Sequence, residues 1–125
     1  MSEPIILAID LGTSGPKVAL LSTHGVVLGG TSEPVPLHIL PQGGVEQDPA
    51  DWWRAICAAA QRLLAHNPLA HDVRGVCVTA QWAGTVPIDA AGNPLMRAVI
   101  WMDDRGAPYV QRRIGGIPSV QGYGA

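Results

Sequence analysis

An apolar run, Ile5-Ile6-Leu7-Ala8-Ile9, passes directly into Asp10-Leu11-Gly12-Thr13-Ser14-Gly15-Pro16-Lys17, and few architectures accept that junction. The run reads as a strand. The glycines behind it read as a tight turn, since glycine adopts positive φ without steric cost. A strand ending in such a turn aims several backbone N–H groups into one concavity, where they and the hydroxyls of Thr13 and Ser14 can hold phosphate oxygens. Asp10, at the strand's end, becomes a candidate ligand, direct or through water, for the magnesium that accompanies a nucleotide such as ATP. A Walker A loop requires Gly-x-x-x-x-Gly-Lys-Ser/Thr and a dinucleotide fingerprint requires Gly-x-Gly-x-x-Gly; neither stands here. Taken alone, Asp-x-Gly-Thr also describes an ordinary hairpin turn that binds nothing.

The next residues give the turn a context. Lys17-Val18-Ala19-Leu20-Leu21-Ser22 reads as a second strand, His24-Gly25 as a turn, and Gly25 to Gly30 as the opening of a third strand. A three-stranded antiparallel meander with a phosphate turn in its first hairpin resembles the opening of the actin-like ATPase (ribonuclease H-like) fold. Pro34 to Gly44 carries three prolines and two glycines and reads as a surface loop. A helix then starts with Asp48 as N-cap, Pro49 in the first helical position and Asp51 near the positive end of the helix dipole. Trp53, Ile56, Ala60, Leu63 and Leu64 draw one apolar stripe along it, and Pro68 limits its length.

Val73 to Ala80 alternates and is rich in valine, so it reads as a strand reached by a helical crossover and therefore parallel to the first. Thr85 to Asp89 and Leu95 to Trp101 flank the turn residues Ala90-Ala91-Gly92-Asn93-Pro94 and predict a short hairpin. Asp103-Asp104 is expected to open a second helix through Tyr109 and Arg113. Beyond Ile114, four glycines and a proline leave no periodicity, and no organised terminus is expected.

The chain has 125 residues, 47% of them apolar, enough for one modest core and not for two domains with a cleft between them. A formal net charge of −2 and the absence of a basic run interleaved with aromatics argue against nucleic acid as a partner. No apolar stretch approaches the roughly 20 residues needed to cross a bilayer, so no membrane role is expected. The N-terminus lacks a signal-peptide pattern, which makes the cytoplasm the expected location. Cys57 and Cys77 lie among apolar neighbours and are expected to be buried thiols rather than a disulfide. His24, His38, His66 and His71 show no metal-ligand spacing.

Four segments in order then carry a family resemblance: Ile9-Asp10-Leu11-Gly12-Thr13-Ser14-Gly15 with Lys17, Glu46-Gln47-Asp48-Pro49 leading to Trp52-Trp53, Gln81 with Gly84 behind a strand, and Ile100-Trp101 with Asp103 and Arg105. Together they are similar to the N-terminal part of the FGGY carbohydrate kinases, with bacterial xylulokinases nearest in pattern. The resemblance implies a partial actin-like α/β domain, the N-terminal portion of the first of two domains. It implies ATP- and magnesium-dependent phosphorylation of a sugar or polyol hydroxyl. On it, Asp10 helps hold magnesium, Gly12, Thr13, Ser14 and Lys17 surround the transferable phosphate, and the sugar lies near Gln81-Trp82-Ala83-Gly84 and Asp103. Xylulokinases commonly place Met-His where this chain has Trp82-Ala83, and alanine offers no side-chain hydrogen bond for discriminating hydroxyls.

Other readings of the same residues stand beside these. Lys17 also reads as a solvated lysine at a strand start, Trp82 as a core or interface aromatic, and Asp103 as a helix N-cap. The family's general base lies later in its first domain, and its adenine pocket belongs mostly to the second. The 125 residues are therefore expected to be inactive alone and, with sheet edges and an apolar helix face uncovered, prone to self-association. A non-catalytic nucleotide-binding module and another actin-like ATPase are the alternative functions.

Overall fold

The computed structural model describes residues 3–115. The apolar run extends past Asp10 to form β1 (Ile5–Gly12), which turns back through Thr13-Ser14 into β2 (Gly15–Ser22), followed by β3 (Val27–Ser32). Alternation decides which side is buried. Ile5, Leu7 and Ile9 face inward opposite Ser22, Leu20 and Val18 of β2, while Asp10 and Lys17 are paired on the other face. The third strand starts two residues later than its glycines suggest, because Gly25 is spent on the turn at φ 80°.

Between Pro34 and Gly44 the structure departs from the expected loop. β4 (His38–Leu40) and a single 3-10 turn at Pro41–Gly43 lead into β5 (Gly44–Gln47), which pairs antiparallel with β4. Prolines flank β4 without falling inside it, so its ladder loses no donor. Helix α1 (Pro49–Leu64) has the predicted start, with Asp48 Oδ1 accepting from Ala50 N–H at 2.9 Å. The expected stripe packs inward except at its first residue. Trp53 is 70% exposed, whereas Ala55 and Ala59 are buried and Ile56, Ala60, Leu63 and Leu64 pack on the β1–β2 core. Arg62 straps the helix to β3, its Nη2 donating to Glu33 Oε2 at 2.7 Å and to the Ser32 carbonyl at 2.8 Å.

A 3-10 turn at Pro68–Asp72 feeds β6 (Val73–Ala80), parallel to β1 as expected, and the main sheet has the order β3-β2-β1-β6. Helix α1 covers β1 and β2 but leaves Val76 and Val78 of β6 61% and 62% exposed. Cys77 is likewise exposed, contrary to the expected burial, while Cys57 is partly buried. The predicted hairpin is present in reduced form: Asp89 caps its turn through Ala91 and Asn93, bridges join Ile88 to Pro94 and Thr85 to Val99, and only β7 (Ala98–Val99) is regular strand. β7 pairs with β5, so a second, three-stranded sheet has the order β4-β5-β7 over a small core of Val45, Ala98 and Ile100 against Trp52 and Val86. Helix α2 (Ala107–Ile114) begins at Gly106, not at Asp103, whose carboxylate is engaged elsewhere. Residues 116–125, read above as lacking organisation, lie outside the described residues.

Gly15 carries the strain of the first turn. Its φ is +129°, and a Cβ there would stand 1.9 Å from the Glu33 carbonyl oxygen. Gly15→Ala is expected to destabilise the chain by about 2–3 kcal/mol, read as a lowered urea midpoint; an unchanged midpoint would contradict this backbone geometry.

Candidate active site: a phosphate turn beside a polar network

Pairing across the first hairpin sets Asp10 opposite Lys17, with Oδ2 and Nζ 3.7 Å apart and side chains 49% and 62% exposed. Both belong to strands and not to the turn, which has shrunk to Thr13 and Ser14 between the paired glycines Gly12 and Gly15. Gly12 keeps room for the lysine, since a Cβ there would lie 3.2 Å from Lys17 Nζ. Parallel pairing brings Thr79 beside Asp10, and these residues with Ala8, Ile9, Ala19 and Cys77 line a shallow depression of about 210 Å³. Ser14 is exposed at the turn's tip. Among the described residues no cluster of three or more His, Cys, Asp or Glu side chains could hold a metal. Asp10 thus offers a single carboxylate, which suits magnesium, an ion that keeps several waters and takes its other oxygens from phosphates.

Gln81 follows β6 and reaches the same turn. Its N–H donates to the Leu11 carbonyl at 2.8 Å, prolonging the parallel pairing by one residue. Its side chain accepts from Thr13 Oγ1 at 3.1 Å and donates from Nε2 to Gln47 Oε1 at 2.8 Å. Gln47, 1% exposed at the end of β5, donates from Nε2 to the Thr13 carbonyl at 2.7 Å and accepts from Trp52 Nε1 at 3.2 Å. Trp101 closes the set, donating from Nε1 to Thr13 Oγ1 at 2.8 Å. Gln47 and Trp101 stood in the sequence segments above without a role. No local pattern shows that a strand-end glutamine meets a turn 34 residues away; the only available signal was a polar residue directly before a helix cap.

Trp82 and Ala83 take no part in these hydrogen bonds: Trp82 is 86% exposed, and Ala83 turns the chain in the left-handed region at φ 55°. Trp82 is therefore not a core aromatic. Asp103 is also apart from the phosphate turn. Its side chain is only 4% exposed; Oδ2 accepts from Val45 N–H at 2.8 Å and from Arg105 Nη2 at 2.6 Å, and Oδ1 accepts from Arg105 N–H at 3.1 Å. Arg105 Nη2 also donates to Glu46 Oε1 at 2.7 Å. Both Asp103 oxygens are thus committed to Arg105 and the β5 backbone.

The α/β architecture, with a meander, a crossover helix and a parallel strand, agrees with the comparisons. Residues 5–115 match the model of the FGGY family of carbohydrate kinases, N-terminal domain, and the chain belongs to that family. It is 36% identical over 105 residues to a xylulose kinase of Klebsiella pneumoniae, covering 84% of this chain and 22% of that protein. It is 34% identical over 105 residues to a glycerol kinase of Delftia acidovorans, covering 82% and 21%. The solved xylulose kinase of Rhodospirillum rubrum superimposes with a TM-score of 0.76 at 25% identity over 92% of this chain and 24% of that one. The fold is that of an actin-like ATPase domain in part, and the chain spans about a fifth of the length of the curated relatives it matches. No helix among the described residues is long and apolar enough to cross a membrane.

Hydrogen bonds from Arg105 hold the Asp103 carboxyl at about 2, below its ordinary 3.8, with the Val45 and Arg105 N–H groups adding to the effect. A carboxylate whose folded pKa is depressed stabilises the fold fully above its unfolded pKa and loses that contribution as the pH falls toward the folded value. The urea midpoint is therefore expected to drop between about pH 4 and pH 2, and Asp103→Asn to flatten that part of the profile. An Asp103→Asn profile as steep as the parent's would show that another carboxylate carries the acid transition.

Proposed function

We propose that this chain supplies the phosphate-side turn and part of the sugar-side wall of an ATP-dependent kinase for a sugar or polyol hydroxyl, xylulose-type sugars being the first class to test. The observation that carries this reading is the meeting of two segments at one end of the sheet: the Asp10–Lys17 hairpin and Gln81, joined through Thr13. Phosphoryl transfer depends on placing phosphate, metal and acceptor hydroxyl together and on neutralising charge, more than on covalent help from the protein. Bound Mg·ATP would supply the transferable phosphoryl group. Asp10 would hold the magnesium through its exposed carboxylate, probing the ion directly or through a water. Lys17 would place a positive charge beside the phosphate, and Gly12, Ser14 and the Thr13 backbone would shape its seat.

On the sugar side, Gln81 offers a carboxamide, and Trp82 an exposed aromatic face suited to a sugar's C–H surface. Asp103 acts through position: paired with Arg105, it fixes β5 and the chain after Trp101. None of the carboxylates named here is offered as the general base of this reaction.

A chimera tests this directly, with these 125 residues replacing the matching segment of the Klebsiella pneumoniae xylulose kinase. It is expected to release ADP in response to xylulose, and Asp10→Asn in the chimera to lower kcat at least about 100-fold. A folded chimera without sugar-dependent ADP release, or one that is indifferent to Asp10→Asn, would sink the reading.

A further inference from the structure

Gln47 holds the first hairpin turn from one side, and the segment that follows β3 holds it from another. Glu33-Pro34-Val35-Pro36 has only two backbone N–H groups, because proline has none, and both go to that hairpin. Glu33 N–H donates to the Pro16 carbonyl at 3.1 Å, and Val35 N–H donates to the Ser14 carbonyl at 3.2 Å. The same segment lies directly on Gly15, where a Cβ would stand 1.9 Å from the Glu33 carbonyl oxygen and 3.0 Å from the Pro34 Cα. Its position therefore sets the direction of the peptide groups on either side of Gly15.

Close packing does not fix this segment against the helix. A gap of about 150 Å³ separates them, lined by Pro34 and Pro36 on one side and by Arg54 and Ala58 of α1 on the other. The contact from Gln47 Nε2 to the Pro36 carbonyl is long, at 3.5 Å. The firm tie is Arg62, in the last turn of α1. Its Nη2 donates to Glu33 Oε2 at 2.7 Å and to the Ser32 carbonyl at 2.8 Å, and its Nε donates to Thr31 Oγ1 at 3.2 Å. An exposed ion pair alone adds little, and these two side chains are 52% and 32% exposed. A guanidinium, however, carries its donors on one rigid plane, and this one reaches three acceptors, one of them a backbone carbonyl. We propose that Arg62 is a positioning residue for the phosphate turn: by fixing Ser32 and Glu33 it seats the segment on Gly15 and holds Ser14 in the orientation that Mg·ATP meets. It acts through the segment and not on the nucleotide. The turn's role as a phosphate seat rests on the kinase reading above; the brace itself does not.

The ligand-free 125-residue chain tests the brace through its backbone amides. Arg62→Ala is expected to speed solvent exchange of the Val35 amide proton at least about tenfold and to move the Ser14 and Gly15 amide signals. Arg54→Ala, which breaks an ion pair with Asp51 on the same helix, should leave all three unchanged. A folded Arg62→Ala chain with unmoved Ser14 and Gly15 signals overturns the proposal. If that variant does not fold, Arg62→Lys keeps the charge and loses the planar fork, and unmoved signals there overturn it equally. In the chimera, Arg62→Ala should raise KM for ATP about fivefold and leave KM for xylulose within about twofold, with Arg62→Lys between that variant and the parent. A tie that serves the fold alone would lower the urea midpoint and leave both KM values in place, and that result also overturns the proposal. A parent chimera without turnover would count against the kinase reading alone, and the amide result would still decide the brace.

Discussion

A single buried carboxamide holds the two sheets of this chain in register. Gln47 stands at the end of β5, in the smaller sheet, yet its two polar atoms bond to the hairpin turn of the larger sheet, to the residue after β6 and to the first turn of α1. Stranding any of these groups in the interior would leave a desolvated donor or acceptor without a partner, at a cost of about 1–3 kcal/mol. Among the described residues no buried side-chain polar atom lacks a partner, so the network is closed. A closed network specifies one arrangement more sharply than apolar contact does, because a hydrophobic surface can slide and a set of directed bonds cannot. The hydrophobic cores make the chain compact; the Gln47 bonds determine where the turn sits.

The parts of this arrangement readable from the sequence are those written in short-range chemistry. Ile5, Leu7 and Ile9 alternate, Asp48-Pro49 announces a helix, and Val73 to Ala80 has the composition of a strand, so the meander, the crossover and the parallel strand follow from local pattern. The errors fall where long-range packing chooses between local options. Trp52 and Trp53 are equally apolar, and only the position of the second core decides that Trp52 turns inward. β4 is three residues long between prolines and exists because β5 offers it a partner. Asp103 resembles an N-cap in every local respect, but Arg105 and the Val45 N–H claim its carboxylate first, and the helix starts at Gly106. Cys77 has apolar neighbours in sequence, while the face it occupies is uncovered.

Gly43, just before β5, and Gly44, its first residue, show how the second charged cluster is accommodated. A Cβ on Gly43 would lie 1.6 Å from an Asp104 carboxylate oxygen, and one on Gly44 would lie 3.0 Å from Arg105 Nε. Their bare backbones let the segment after Trp101 lie against β5 closely enough for Arg105 to reach both Glu46 and Asp103. A side chain at Gly44 would crowd the arginine that neutralises two enclosed carboxylates, and unpaired carboxylates in that setting are costly; one at Gly43 would collide with Asp104 instead.

The structure thus contains two kinds of acidic group, separated by how completely their partners occupy them. Asp103 is enclosed, with bonds as short as 2.6 Å to Arg105, and a ligand reaching it would first have to strip the arginine away. Asp10 is half exposed, and its one ion pair among the described residues, to Lys17, is 3.7 Å long. An exposed pair of that length contributes little to stability, so either member can be taken over by a new partner with small loss to the fold. A metal approaching Asp10 or a phosphate approaching Lys17 would replace one weak attraction by a stronger one, and the two replacements favour each other, because the metal and the phosphate are themselves opposite charges. That asymmetry, rather than proximity to the turn alone, is the physical support for the proposal that the Asp10–Lys17 pair serves ligands while the Asp103–Arg105–Glu46 cluster serves the fold.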